Sequence, residues 1–229
     1  MKVLRGIGFG INTVLFYLGV PLLGWGLTDV RGFLAAQPRR AYALVILGFA
    51  LAVGYQAIDA PEGIRGGRGQ AGKRVGRQHA VRLAVSFLLL AALLGLPFAD
   101  RRGIAVLTDM QAARWAGVAL FALGFGLVYW SGVALGKLYS PEVTLQQGHR
   151  LVTTGLYRYI RHPRYIGAML TGFGLALLFR SWMGLAVAAA FIGVIALRIR
   201  DEEAFMQQEF GEEWEAYCQH SWRLIPFLY

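Results

Sequence analysis

The sequence predicts an all-α, polytopic membrane protein of about six spans, the last two a short hairpin, followed by a C-terminal amphipathic helix. Three observations carry this reading. Of the 229 residues, 56% are apolar and only 16% charged, with mean hydropathy +0.48, which leaves too little polar surface to cover a soluble globule of this size. Apolar runs recur at lengths near the roughly 20 residues that a helix needs to cross about 30 Å of hydrocarbon. The basic excess, a net charge of +10, lies mostly between those runs. A single cysteine, Cys218, excludes an intrachain disulfide and a cysteine-clustered zinc site.

The runs fall at about 7–28, 41–58, 83–99, 115–136, 164–179 and 182–197. The first follows Lys2 and Arg5 but is long, has no small-residue cleavage pattern and is succeeded by further spans, so it reads as a permanent helix and not a signal peptide. Asn12, Thr13 and Pro21 within it, and Tyr55 and Gln56 in the second, read as packing groups. The fifth and sixth meet at Arg180-Ser181-Trp182, so they form a hairpin that stops short of the far interface, or Arg180 snorkels out to it. With all six crossing, 16 Lys and Arg lie on the N-terminal side and 7 on the other. The positive-inside rule then puts both termini and the loops 59–82 and 137–163 in the cytoplasm, in an inner or plasma membrane.

Orientation accounts for most of the basic excess, so nucleic acid is not an expected partner. The Gly- and Arg-rich loop from Glu62 to Arg82 suits anionic membrane lipids instead. The C-terminal tail has the opposite character, with 7 of the 13 acids between Asp201 and Glu215. Phe205, Met206, Phe210, Trp214, Tyr217 and Cys218 recur there at helical spacing, as an apolar stripe with the acids on other faces. Glu202 and Glu203 stand one turn beyond the sixth span. A half-buried acid needs a partner, which Arg198 and Arg200 supply in a structural reading.

The stretch Leu151 to Gly167, LVTTGLYRYIRHPRYIG, carries the densest chemistry. Pro163 pushes His162 out of the α region and suits the first turn of a helix, so the fifth span begins there. Arg158, Arg161, His162 and Arg164 then crowd a helix N-terminus, where unpaired N–H groups and the dipole already favour an anion. A carboxylate or phosphate relieves that conflict; ordinary interfacial arginines are the plainer alternative.

In its C-terminal half the chain resembles the isoprenylcysteine carboxyl methyltransferase and phospholipid N-methyltransferase family. The likeness rests on Leu135-Gly136-Lys137-Leu138-Tyr139-Ser140, the L-V-T-x-G-x-Y loop, R-H-P-x-Y-x-G at Arg161 to Gly167, a helical hairpin, Glu202-Glu203, Phe210-Gly211-Glu212-Glu213-Trp214, and R-x-x-P at Arg223 to Pro226. It covers about residues 115–229, so 1–114 reads as membrane helices of unassigned role and 115–229 as the methyltransferase-like core.

The resemblance implies S-adenosylmethionine as cofactor at the cytoplasmic interface, with Arg161 and Arg223 catalytic and Gly136, Tyr157, His162, Tyr165, Glu202 and Glu203 binding the cofactor. It also implies a lipophilic or small-molecule acceptor bearing a carboxylate, thiol or amine. No metal is expected, because His79, His149, His162 and His220 lack ligand spacing. Two rivals stand beside it. The ending Trp214-x-x-Tyr217-Cys218 and Arg223-x-x-Pro226-x-x-Tyr229 also looks like membrane sterol reductases, which use NADPH. A non-catalytic membrane scaffold of the same fold is the other. The Gly6-Gly8-Gly10, Gly124-Gly126 and Gly172-Gly174 patterns lie in apolar helices, not after a strand, so they read as helix packing and not as a dinucleotide fingerprint.

Overall fold

A computed structural model describes residues 2–59, 77–108, 111–136 and 151–226 of the chain; side chains are described except at 59 and 77–82. The Gly- and Arg-rich loop before Arg77, the segment Lys137 to Ser140, His149 and Tyr229 lie outside these residues. Nine α-helices are described: α1 Lys2–Val14, α2 Val20–Trp25, α3 Val30–Ala35, α4 Gln37–Asp59, α5 Arg77–Arg102, α6 Gln111–Leu135, α7 Pro163–Leu178, α8 Trp182–Phe210 and α9 Glu212–Gln219. Among the described residues there is no strand, and two isolated bridges are the only β pairing.

Five helical rods are long and apolar enough to cross a bilayer: Lys2–Trp25, Gln37–Ile58, Leu83–Arg102, Gln111–Leu135 and Trp182–Phe210. Their outward faces carry exposed Leu15, Leu44, Leu51, Phe87, Leu123 and Ile192, as hydrocarbon contact requires. The remaining rod, α7, has 16 residues and spans about 24 Å at 1.5 Å per residue. It is the short arm expected of the hairpin, whereas its partner α8 is not short. With 29 residues, α8 runs through Arg198, Glu202 and Glu203 to Phe210. The expected tail helix is therefore divided: Phe205, Met206 and Phe210 end α8, and Gly211, at φ 51 and ψ −119, a conformation open to glycine alone, breaks the chain before α9.

The first rod contains a π-helical turn at Leu15–Gly19, closed by the Val20 N–H on the Leu15 carbonyl. Its cause is Pro21. Proline has no N–H for the Tyr17 carbonyl one turn back, and that carbonyl instead accepts from the Tyr42 hydroxyl on α4. The core gathers Phe33, Tyr42, Ile46, Leu93, Phe121, Leu175, Leu178 and Phe179.

Helices α6 and α7 pack backbone to backbone. A Cβ on Gly124 would stand 2.6 Å from the Gly167 carbonyl oxygen, and one on Gly174 would stand 2.5 Å from the Phe121 nitrogen. Gly6 and Gly10 approach the carbonyls of Gly54 and Ala50 on α4 in the same way. Their neighbour Gly8 faces open space, and Gly126 and Gly172 make only ordinary contact. Packing thus explains one glycine of each pattern, or two of three in the first.

At the end of the bundle where α6 begins, the Asp100 side chain is fully buried. It accepts from Arg114 through both terminal nitrogens (3.0 and 3.1 Å), from Arg39 (3.2 Å) and from Arg180 Nε (2.8 Å). Arg180 therefore turns inward to a carboxylate. Ser181 caps α8 by accepting from the Gly184 N–H.

Candidate active site

The opposite end of the bundle, about 24 Å away along α7, is built around the R-H-P element. Pro163 opens α7 as expected and holds His162 at φ −125, ψ 53, where its carbonyl accepts the first helical N–H groups, those of Tyr165 and Ile166. The stretch before it pairs with the C-terminal R-x-x-P segment through one isolated parallel bridge, Ile160 with Trp222. Arg161 N–H donates to the Trp222 carbonyl (2.8 Å), His162 N–H to that of Arg223 (3.2 Å), and Trp222 N–H returns to that of Tyr159 (2.8 Å). Two motifs about sixty residues apart are thereby joined through backbone alone.

Glu203 receives the charges of both. Arg161 Nε lies 3.1 Å from Oε1, His162 Nε2 3.2 Å from the same oxygen, and Arg223 Nη2 2.5 Å from Oε2. Arg161 Nη1 donates in addition to the Cys218 carbonyl (3.2 Å) and to the Ser221 carbonyl, which fastens the chain after α9. The anion beside the crowded helix start is thus this glutamate. For Glu203 the sequence reading named neighbouring Arg198 and Arg200, whereas these three partners arrive from the stretch just before α7 and from the C-terminal segment.

Glu202 faces elsewhere. The Tyr165 hydroxyl donates to its Oε2 (2.6 Å) and accepts from Arg198 Nε (2.7 Å), while the Tyr165 ring stacks on His162 at 5.5 Å and 28°. This relay borders a cavity of about 730 Å³. At its polar end the wall includes Tyr157, Arg161, His162, Tyr165, Arg198 and Glu202, with Trp214 and Tyr217 from α9. Away from that end it is apolar, between Leu88, Ala92 and Leu96 of α5 and Ala188, Phe191 and Ile195 of α8.

Of the expected site residues, Tyr157, Arg161, His162, Tyr165 and Glu202 line this cavity, and Glu203 and Arg223 stand behind Arg161 and His162 as their ion-pair partners. Gly136 ends α6 at φ 51 with open space about it, next to the cavity-lining Leu135.

Tyr217 donates to the Tyr157 carbonyl (2.5 Å), and burial pushes its phenol above the ordinary range. Burial likewise raises the Cys218 thiol, so it is protonated at neutral pH. Among the described residues no three His, Cys, Asp or Glu side chains gather as a metal site.

Sequence reasoning missed two contributions. The π-helical turn of the first rod carries Tyr17 into the cavity wall, its ring edge-on to Phe125 at 4.8 Å; Pro21 inside an apolar run was the signal. The wall from α5 had none, because its cavity-facing and lipid-facing residues are equally apolar.

Comparison with known proteins bears on this geometry. The phospholipid methyltransferase family pattern matches residues 112–213, from the start of α6 into α9. A probable protein-S-isoprenylcysteine O-methyltransferase of Oryza sativa subsp. indica is 27% identical over 150 residues, 64% of this chain and 75% of the relative. The protein-S-isoprenylcysteine O-methyltransferase of Schizosaccharomyces pombe is 34% identical over 99 residues, 42% of each chain. A steroid 5-alpha-reductase of Solanum lycopersicum is 30% identical over 114 residues, 49% of this chain and 41% of that protein.

Proposed function

We propose, on the premise that this chain belongs to the phospholipid methyltransferase family and is a membrane methyltransferase, that it moves a methyl group from S-adenosylmethionine to a lipophilic or small-molecule acceptor at the cytoplasmic face of the membrane. The observation that carries the proposal is a cavity with Glu202, Arg161 and His162 together at one end and a mostly apolar wall beyond them.

The donor set fits such a cofactor. Glu202 accepts from an amino group or a ribose diol, and the Arg161 guanidinium, with the His162 ring beside it, faces a carboxylate. Glu203 positions that edge and Arg223 completes the ion pairing behind it. The bound sulfonium supplies an activated methyl group. The work left to the protein is to align the acceptor in line with it and to exclude water, which Trp214, Tyr217 and the apolar wall do. An anionic acceptor needs no strong base, whereas an amine must first lose a proton. In this reading residues 115–229 hold the cofactor, and both termini face the cytoplasm, as the 16 to 7 distribution of basic residues supports.

The test is transfer of tritiated methyl from the donor to lipid extract by protein in nanodiscs, with base-labile label marking an ester and base-stable label an amine or thioether. Absence of organic-phase label across carboxylate, thiol and amine acceptors contradicts the proposal. The steroid reductase relative favours a second reading, NADPH-dependent reduction. Against it, Gly124 and Gly174 are taken up by the contact between α6 and α7, so neither is available to cradle a pyrophosphate.

A further inference from the structure

Tyr42 and Tyr129 each spend the phenol hydroxyl on a carbonyl of another helix, Tyr42 on that of Tyr17 and Tyr129 on that of Ala52. Tyr17 does not. Among the described residues no hydrogen bond takes up its hydroxyl, and its oxygen is not one of their fully enclosed, unpartnered polar atoms. It therefore opens on free space, and the space that this side chain lines is the cavity. Packing does not call for the hydroxyl: Phe16 (5.1 Å), Phe125 (4.8 Å) and Phe121 (6.3 Å) meet the ring edge-on, so a phenylalanine would pack as well.

The backbone holds this phenol in place. The π-helical turn Leu15–Gly19 carries it, and the Tyr42 hydroxyl fixes its carbonyl; such turns inside α-helices are frequent at functional sites. At hydrocarbon depth no bulk water satisfies a bare hydroxyl. The level follows from Phe125, whose neighbour Gly124 meets Gly167 of α7. Gly167 is about 7 Å along α7 from His162, so the phenol stands on the apolar side of the polar end.

We propose that Tyr17 selects the acceptor, its hydroxyl donating to an oxygen that the acceptor carries on the tail side of its reacting head. The ligand class is an amphiphile with an amide or ester carbonyl about 6 Å of extended chain from that head; a plain alkyl chain leaves the hydroxyl without a partner. Tyr17 lies outside the family-matched 112–213, so this selectivity belongs to the N-terminal rod. The position of the head rests on the methyl-transfer reading. In that reading Glu202, Arg161 and His162 meet the polar groups of the donor at the polar end, which leaves Tyr17 to the acceptor.

The probes are two pairs matched in head and chain length, with and without the carbonyl: N-dodecanoyl-γ-aminobutyrate against heptadecanoate, and N-(aminopropyl)dodecanamide against hexadecylamine. Each competes with tritiated N-dodecanoyl-γ-aminobutyrate for the full chain in nanodiscs, with empty nanodiscs subtracted. In Tyr17→Phe the amide-to-alkyl affinity ratio should fall about 3-fold to 10-fold in one head series or both, the loss of one neutral hydrogen bond, while melting temperature and S-adenosylhomocysteine affinity stay as in wild type. Tyr129→Phe, which alters a tyrosine outside the cavity wall, should keep the wild-type ratio. An unchanged ratio in Tyr17→Phe overturns the proposal, whether or not the melting temperature falls. So does an equal fall in Tyr129→Phe, or a wild type to which the tracer does not bind. Absence of S-adenosylhomocysteine binding in wild type, with the Tyr17→Phe effect intact, sinks the methyl-transfer reading and leaves recognition by Tyr17 standing.

Discussion

Replacing each member of the double glutamate by glutamine should produce two different defects. Glu203 and Arg161 are about nine-tenths buried at their side chains, at 11% and 10% exposure, while Arg223 is 32% exposed. Glu203→Gln keeps one acceptor oxygen but removes the charge that offsets two guanidinium groups. The loss lies between one charge-assisted hydrogen bond, about 1.5–3 kcal/mol, and a fully buried broken pair, about 3–5 kcal/mol; we take about 2–4 kcal/mol.

At about 2–4 °C per kcal/mol for a chain of this length, the melting temperature falls by about 5–15 °C without ligand. Glu202→Gln still accepts from Tyr165 through its amide oxygen, so melting shifts by no more than about 2 °C, and the loss appears in donor affinity, about 10-fold to 150-fold. Thermal unfolding in detergent and isothermal titration with S-adenosylhomocysteine on both variants, with Glu215→Gln as control, separate the two effects. The reasoning is refuted if Glu203→Gln melts with wild type, or if Glu202→Gln binds the donor normally.

Gly174→Ala on α7 puts a methyl 2.5 Å from the Phe121 nitrogen and should cost about 1–3 kcal/mol in thermal unfolding, whereas Gly132→Ala on α6, which meets open space, should be neutral or slightly stabilising. Asp100→Asn leaves three arginines around an uncharged group; a loss of about 3–5 kcal/mol should appear as poor recovery in fluorescence-detected gel filtration, with donor affinity in the folded fraction unchanged because the cluster lies at the other end of the bundle. Cys218, the single cysteine, should react with an impermeant maleimide in inside-out but not right-side-out vesicles. Because its thiol is raised by burial, the labelling rate should keep climbing as pH passes about 9; a plateau near neutral pH contradicts this.

The helical spans were legible because hydrocarbon imposes length and composition on every crossing, and the start of α7 because proline fixes its own φ and restricts His162. What hydropathy mislaid was the end of α8. Arg198, Arg200 and Glu202 interrupt the apolar run and so looked like its boundary, yet Arg198 and Glu202 border the cavity from within the helix. The partners of Glu203 were misassigned for a related reason. Arg198 and Arg200 are near in sequence, but partners at 161, 162 and 223 come together only through the packing of α7 on α8 and the pairing of Tyr159 to His162 with the segment at Trp222. Asp100 carried a readable signal, an acid at the end of an apolar run, but its three arginine partners at 39, 114 and 180 are brought to it only by the packing of four segments.

The central claim is that the polar end of the cavity is built for a methyl donor, and cofactor titration on the purified full chain tests it most directly. S-adenosylmethionine and S-adenosylhomocysteine should each give saturable one-to-one binding heats that Glu202→Gln weakens, and NADPH should give none. Tight NADPH binding with no heat from either methyl-donor species would contradict the account.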